Sequence, residues 1–197
     1  MQNRPFVDVA EDTLVRCTFG GRKMFQKNDL IVYGNTGICR VEEIGTPESL
    51  PGVDKGKLYY KLVPVRSAST IYTPVDTHVF MRPAMTKEEA DQLIDRIPQI
   101  SEDSFECRDP RVLAEHYRTS LQTHECEDLV RLIKTVYQKS QRLVQNGKKP
   151  GKTDQQYRKR AEELLNEELS VALGIPYDEV PAYIEQRISG LEVAQGA

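Results

Sequence analysis

The stretch NDLIVYGNTGICRVEEI, residues 28–44, holds two runs rich in Val and Ile on either side of Gly34-Asn35-Thr36-Gly37. Such residues suit a pleated, half-buried surface, and a short Gly-containing break between two such runs reads as a hairpin. The break exceeds the two residues of the tightest hairpins. Gly34 and Gly37 supply backbone angles that other residues resist. Working outward, residues 45–52 read as a loop by their Pro and Gly content. Residues 58–65 form a third strand, with Leu58, Tyr60 and Leu62 on one face and Tyr59, Lys61 and Val63 on the other. Residues 69–75 form a fourth and residues 79–82 a short fifth. Pro64 and Pro74 lack an amide N–H, so each belongs at an edge or a strand end. This density of short strands predicts a small, strongly bent β-barrel over residues 24–85.

From Thr86 the hydrophobic period changes. Thr86-Lys87-Glu88-Glu89 is a capping box that opens a helix. Ala90, Leu93, Ile94 and Ile97 share one face of it, and Pro98 ends it. Asp109-Pro110 starts a second helix, with Val112, Leu113, His116, Tyr117 and Leu121 marking its course. A third runs from about 125 to 146, with Leu129, Leu132, Ile133, Val136, Leu143 and Val144 as its apolar stripe and Gly147 as its stop. Thr153-Asp154-Gln155-Gln156 is read as the cap of a fourth, with Tyr157, Ala161, Leu164, Leu165 and Leu169 inward, ended by Gly174. A last short helix follows Tyr177. The expected class is α+β, a small β-barrel followed by an all-α domain of four to five helices over 86–190. Strands and helices are segregated along the chain, which argues against a doubly wound enzyme fold. Residues 1–23 lack periodicity and are expected to be a low-order leader.

The 197-residue chain carries a formal charge of −3, but the charge is segregated. Residues 129–160 hold ten Lys or Arg against one acid, Asp154. The segments before and after are strongly acidic. Such asymmetry points to a surface built for a polyanion, with a solvated helix face as the other reading. No apolar run is long enough for a membrane span. Four scattered cysteines without a secretory signal argue against a disulfide framework and place the protein in the cytoplasm.

Gly147-Lys148-Lys149-Pro150-Gly151-Lys152-Thr153 resembles a phosphate loop but has one residue too few between its glycines and follows a helix, not a strand. It reads as a basic connection. His116, His124, Cys126 and Cys107 lack the tight spacing of a structural zinc site, so no metal and no cofactor are expected. No catalytic arrangement stands out, and a non-enzymatic protein is expected. Lys134, Lys148, Lys149, Lys152, Arg158, Lys159 and Arg160 are the candidate phosphate-neutralising residues, which position a protein on DNA without reading sequence. Residues 69–75 (Ser69, Thr70, Ile71, Tyr72, Thr73, Pro74 and Val75) are the candidate exposed edge, open to pairing with another chain.

The run from Met24-Phe25 through Val32-Tyr33, the turn ending in Gly37, and Val41-Glu42-Glu43-Ile44 resembles the opening of the CarD family of bacterial transcription regulators. Leu58-Tyr59-Tyr60-Lys61-Leu62 and Ile71-Tyr72-Thr73-Pro74-Val75-Asp76 fall where that family has its next strands. Thr86-Lys87-Glu88-Glu89-Ala90, the helix around Tyr117-Arg118, and Ala161-Glu162-Glu163-Leu164-Leu165 follow the family more loosely. The resemblance implies a Tudor-like barrel that docks on the RNA polymerase β subunit by strand pairing, a module similar to that of the transcription-repair coupling factor. It implies a helical domain that contacts promoter DNA and stabilises the open complex. It assigns docking to residues 69–75 and DNA contact to the helix of Leu113, Tyr117 and Arg118. Family members place a tryptophan wedge one turn before that tyrosine, where Leu113 stands in this chain. The expected protein is a monomer that binds the polymerase and, without sequence preference, promoter DNA, with no membrane partner. An adaptor whose helical domain binds an acidic protein is the alternative.

Overall fold

A computed structural model of the chain describes residues 6–8, 18–19, 22–47, 54, 56–107 and 109–195. The chain divides into two units, Met1–Pro83 and Ala84–Ala197. The expected leader, residues 1–23, lies largely outside the described residues. Within it, Phe6–Asp8 (β1), Thr18–Phe19 (β2) and Arg22–Lys23 (β3) are strands, and β2 pairs with β3.

The first unit is built on the quoted hairpin. Leu30–Tyr33 (β4) and Gly37–Pro47 (β5) pair antiparallel with Tyr33 opposite Gly37. Gly34 and Gly37 have φ of +45° and +108°, so glycine is needed at the corner for its backbone. Tyr59–Pro64 (β6), Ile71–Pro74 (β7) and Met81–Pro83 (β8) complete an antiparallel sheet of order β7-β6-β5-β4-β8. Alternation places Ile31, Cys39, Val41, Tyr60 and Leu62 on one face, where they form the core. The Tyr60 hydroxyl is satisfied by the Phe25 amide at 3.1 Å. Two expectations are corrected. Residues 45–47, assigned to a loop, continue β5 because β1 supplies a partner for them, and the rest of that assignment, residues 48–52, lies outside the described residues. The sheet is also open, not closed into the expected barrel: β7 and β8 lie at opposite ends of the path. Each is short and ends on a proline, Pro74 or Pro83, that cannot donate to a further strand.

Among the described residues the second unit holds five α-helices: Lys87–Arg96 (α1), Pro110–Gln122 (α2), Cys126–Gln145 (α3), Lys152–Leu173 (α4) and Val180–Gln195 (α5). The capping box is present, with Glu89 N–H donating to Thr86 Oγ1 at 3.2 Å and Thr86 N–H to Glu89 Oε2 at 2.7 Å. Asp109 caps α2 by accepting from the Arg111 amide. Gly147, at φ +70°, lets the Lys148 amide return to the Leu143 carbonyl and close α3. The start of α4 differs from expectation. Gly151 is its N-cap, and Thr153 and Asp154 lie inside its first turn. Asp154 is drawn inward by partners on α2 and α3. The apolar stripes of α1 to α4 converge on a core that includes Leu93, Leu113, Leu129, Val136, Leu165 and Val180.

Candidate functional site

The end strand β7 falls on the candidate edge. Its register opposes Tyr59 to Pro74, Tyr60 to Thr73, Lys61 to Tyr72 and Leu62 to Ile71. The Val75 amide donates to the Leu58 carbonyl at 2.9 Å. Because bonded and non-bonded pairs alternate in an antiparallel ladder, Thr73 and Ile71 also bond inward to β6. The main-chain groups of Thr70 and Tyr72 therefore face outward and no other strand among the described residues pairs with them, while the Pro74 carbonyl accepts the Thr77 amide at 3.0 Å. Proline at position 74 costs the sheet no internal bond, since its missing N–H points away from β6. Side chains alternate too: Ile71 and Val75 pack on the core side, and Thr73 is buried. Tyr72, 36% exposed, stands on the other face opposite Lys61. Lys61 is held by Glu42 at 2.9 Å and Glu43 at 3.4 Å. Ser69 and Thr70 are exposed, and Ser69 is turned by its amide's bond to Ser67 Oγ.

The basic residues of the second unit separate into two sets. Lys134 donates to the carbonyls of Ile97 at 3.1 Å and Ile100 at 2.5 Å, closing the turn after α1. It is a cap, not a free cation. Arg158 pairs with Glu162 and Arg160 with Glu163, each at 3.2 Å along the helix. Lys139, part of the basic block, reaches Asp154. Arg118 is exposed on α2 and pairs with Glu115 at 2.5 Å. By contrast, Lys148, Lys149, Lys152 and Lys159 are exposed and make no ion pair among the described residues, and neither does Arg142. They gather at the turn between α3 and α4 and on the flanks of those helices. Lys152 and Lys159, seven positions apart, lie on one side of α4. Arg142 belongs to the basic block read from the sequence and, as expected there, lies off the apolar stripe of α3.

Leu113 sits elsewhere than its assigned role requires. It is 5% exposed and packed in the core beside Tyr117, so it presents no wedge to solvent. The physical reason is periodicity: 113, 117 and 121 share the inward line of α2. Tyr117 is likewise buried, and its hydroxyl donates to Asp154 Oδ1 at 2.9 Å. Burial and the nearby carboxylate hold that hydroxyl well above the usual tyrosine range. On the same helix His116 Nε2 meets Asp103 Oδ2 at 2.5 Å, under the stacked ring of Phe105. Ser120 directs its hydroxyl to the His116 carbonyl and not to the ring. These contacts fasten the segment after α1 to α2. Among the described residues no group of His, Cys, Asp and Glu could hold a metal ion, and no helix is long and apolar enough to cross a membrane.

Residues 25–85 match the family model of the CarD-like/TRCF RID domain. No curated protein matches the chain.

Proposed function

We propose that this chain, a CarD-like/TRCF RID domain joined to a basic helical unit, is a non-enzymatic bacterial transcription regulator of the cytoplasm. The RID domain docks on the RNA polymerase β subunit through β7. The α3–α4 turn contacts promoter DNA by its phosphates and stabilises the open complex. The observation that carries this reading is the RID match over a sheet whose end strand keeps outward main-chain groups unpaired. The unpaired cations at the α3–α4 turn support the DNA half, since Lys and Arg free of acidic partners can neutralise phosphates. Leu113 has no part in it. Contact falls to Lys148, Lys149, Lys152 and Lys159, with Arg142 on the last turn of α3, and Arg118 is a further exposed candidate on α2.

The test is co-purification with RNA polymerase followed by open-complex lifetime on a promoter. The full chain is expected to be retained by the polymerase and to lengthen the lifetime. The triple variant Lys148→Glu, Lys149→Glu, Lys152→Glu is expected to be retained but to lose the lengthening. Retention with no effect of the triple variant would favour the adaptor reading for the helical unit. Failure of retention would overturn the docking half.

A further inference from the structure

The free edge of β7 is short, and both of its limits are visible. On one side the chain bends at Ser67 and Ser69, whose hydroxyls lie 2.9 Å apart and whose turn takes up the Ser69 amide. On the other side the next outward position is Pro74, which has no N–H and whose carbonyl already accepts the Thr77 amide at 3.0 Å. Between them Thr70 and Tyr72 each present one donor and one acceptor. A strand laid on this edge finds two main-chain positions and stops at Pro74, whose carbonyl is taken by Thr77. A slide of two residues toward Asp76 would place its acceptor against the proline ring.

The faces of this window differ. The half-buried side chains of Ile71 and Val75 flank the core, with buried Thr73 between them. Residues of an incoming strand on that side would extend the apolar core. The residue directly opposite Tyr72 would point to the other face, beside the tyrosine ring. Because side chains alternate in either strand direction, one pattern satisfies both orientations.

We infer that Pro74 sets the register of the docked polymerase strand. The strand it admits is a short extended segment with Tyr72 at its centre and apolar side chains on both sides of the residue opposite Tyr72. This rests on the reading that β7 is the surface that binds RNA polymerase. The tyrosine contributes through its main chain first, because its amide does not serve its own sheet.

The experiment uses the full chain and purified bacterial RNA polymerase, with affinity measured by biolayer interferometry and the fold checked by circular dichroism. Tyr72→Pro removes the central outward donor and leaves the inward ladder untouched, so the fold is retained and affinity falls at least tenfold. Tyr72→Ala keeps the donor and loses less. Pro74→Ala restores a donor at the end of the window and tightens binding roughly 2- to 10-fold, the range for one added hydrogen bond. That gain cannot come from misfolding, so it keeps the proposal falsifiable should Tyr72→Pro fail to fold. A folded Tyr72→Pro that binds like the parent, or a Pro74→Ala that does not bind more tightly, overturns the register assignment while leaving polymerase docking intact. A parent chain that does not bind polymerase overturns both. Self-association of the parent that Tyr72→Pro abolishes would make a second copy of the chain the occupant and also overturn it.

Discussion

The Lys139 ammonium donates to the Asp154 carboxylate at 2.9 Å, and that carboxylate is 4% exposed. The same Oδ1 accepts the Tyr117 hydroxyl, so one oxygen ties α2, α3 and the first turn of α4 together. The single acid of the basic block is therefore a joint in the core. Asp154→Ala strands a partly buried ammonium and a buried hydroxyl. The expected loss is about 2–3 kcal/mol, in line with hydrogen bonds to a charged group and below the cost for a fully buried pair. Urea unfolding followed by far-UV circular dichroism measures it. A change under about 0.5 kcal/mol, the ordinary surface range, would show that the joint is not structural.

Two kinds of lysine in one block should separate in their effects. Lys134→Met leaves the Ile97 and Ile100 carbonyls without their cap and is expected to lower stability by about 1–2 kcal/mol. Its DNA affinity should keep the parent's salt dependence. Lys148→Gln and Lys152→Gln together should leave the melting temperature unchanged and flatten the plot of log K against log salt by roughly 2 units of slope. Fluorescence anisotropy on duplex DNA between low and moderate salt gives both slopes. Equal slopes in the parent and the double variant would remove this turn from the DNA surface.

What the sequence makes legible is mostly local. Thr86 and Glu89 are three residues apart, so their reciprocal cap can be read directly from the chain. The corner at Gly34 and Gly37 follows from glycine's backbone freedom in the same way. Barrel closure was not legible, because it depends on whether β7 and β8 meet, and that is set by register across fifty residues. The β1 partner of β5 was equally hidden in a segment with no period of its own. For the candidate surfaces, charge counting found the block but could not tell which cations are already committed. Lys134 and Lys139 look like Lys148 in sequence and differ only in what the fold puts beside them. Leu113 was placed on the apolar line of α2 from the start, and packing there decides against an exposed role.

Acid should loosen the clasp between α1 and α5. Arg187 meets Asp95 through Nε at 2.6 Å and Nη2 at 2.9 Å, and it also reaches Asp91 at 2.6 Å. The guanidinium hydrogen bond, joined by the charge itself, holds the Asp95 carboxyl below its ordinary range. A folded-state value below the unfolded one means that the contribution is complete above the unfolded pKa, about 3.9. It is lost as pH falls through the folded value. Thermal melts from pH 6 down to pH 2 should therefore fall more steeply for the parent than for Asp95→Asn, with the two curves converging at the acid end. Parallel curves would show that the pair is indifferent to folding.

The corner of the first unit offers the sharpest steric test. Gly34 has a φ of +45°, and a Cβ built on it would lie 3.1 Å from Val79 Cγ1. Its amide also donates to the Phe80 carbonyl at 2.9 Å, which ties the hairpin tip to the segment entering β8. Gly34→Ala therefore meets two penalties at once, a left-handed backbone angle and a neighbour that must move. The backbone term alone is about 1 kcal/mol. Relieving the contact by Val79→Ala in the same chain removes only the second penalty. The double variant should thus recover part of the stability lost by Gly34→Ala, measured against the loss from Val79→Ala alone. The double-mutant cycle reads this as a coupling of about 0.5 kcal/mol or more. A coupling of zero would mean that Val79 yields freely, and the strain at this corner would then reside in the backbone alone.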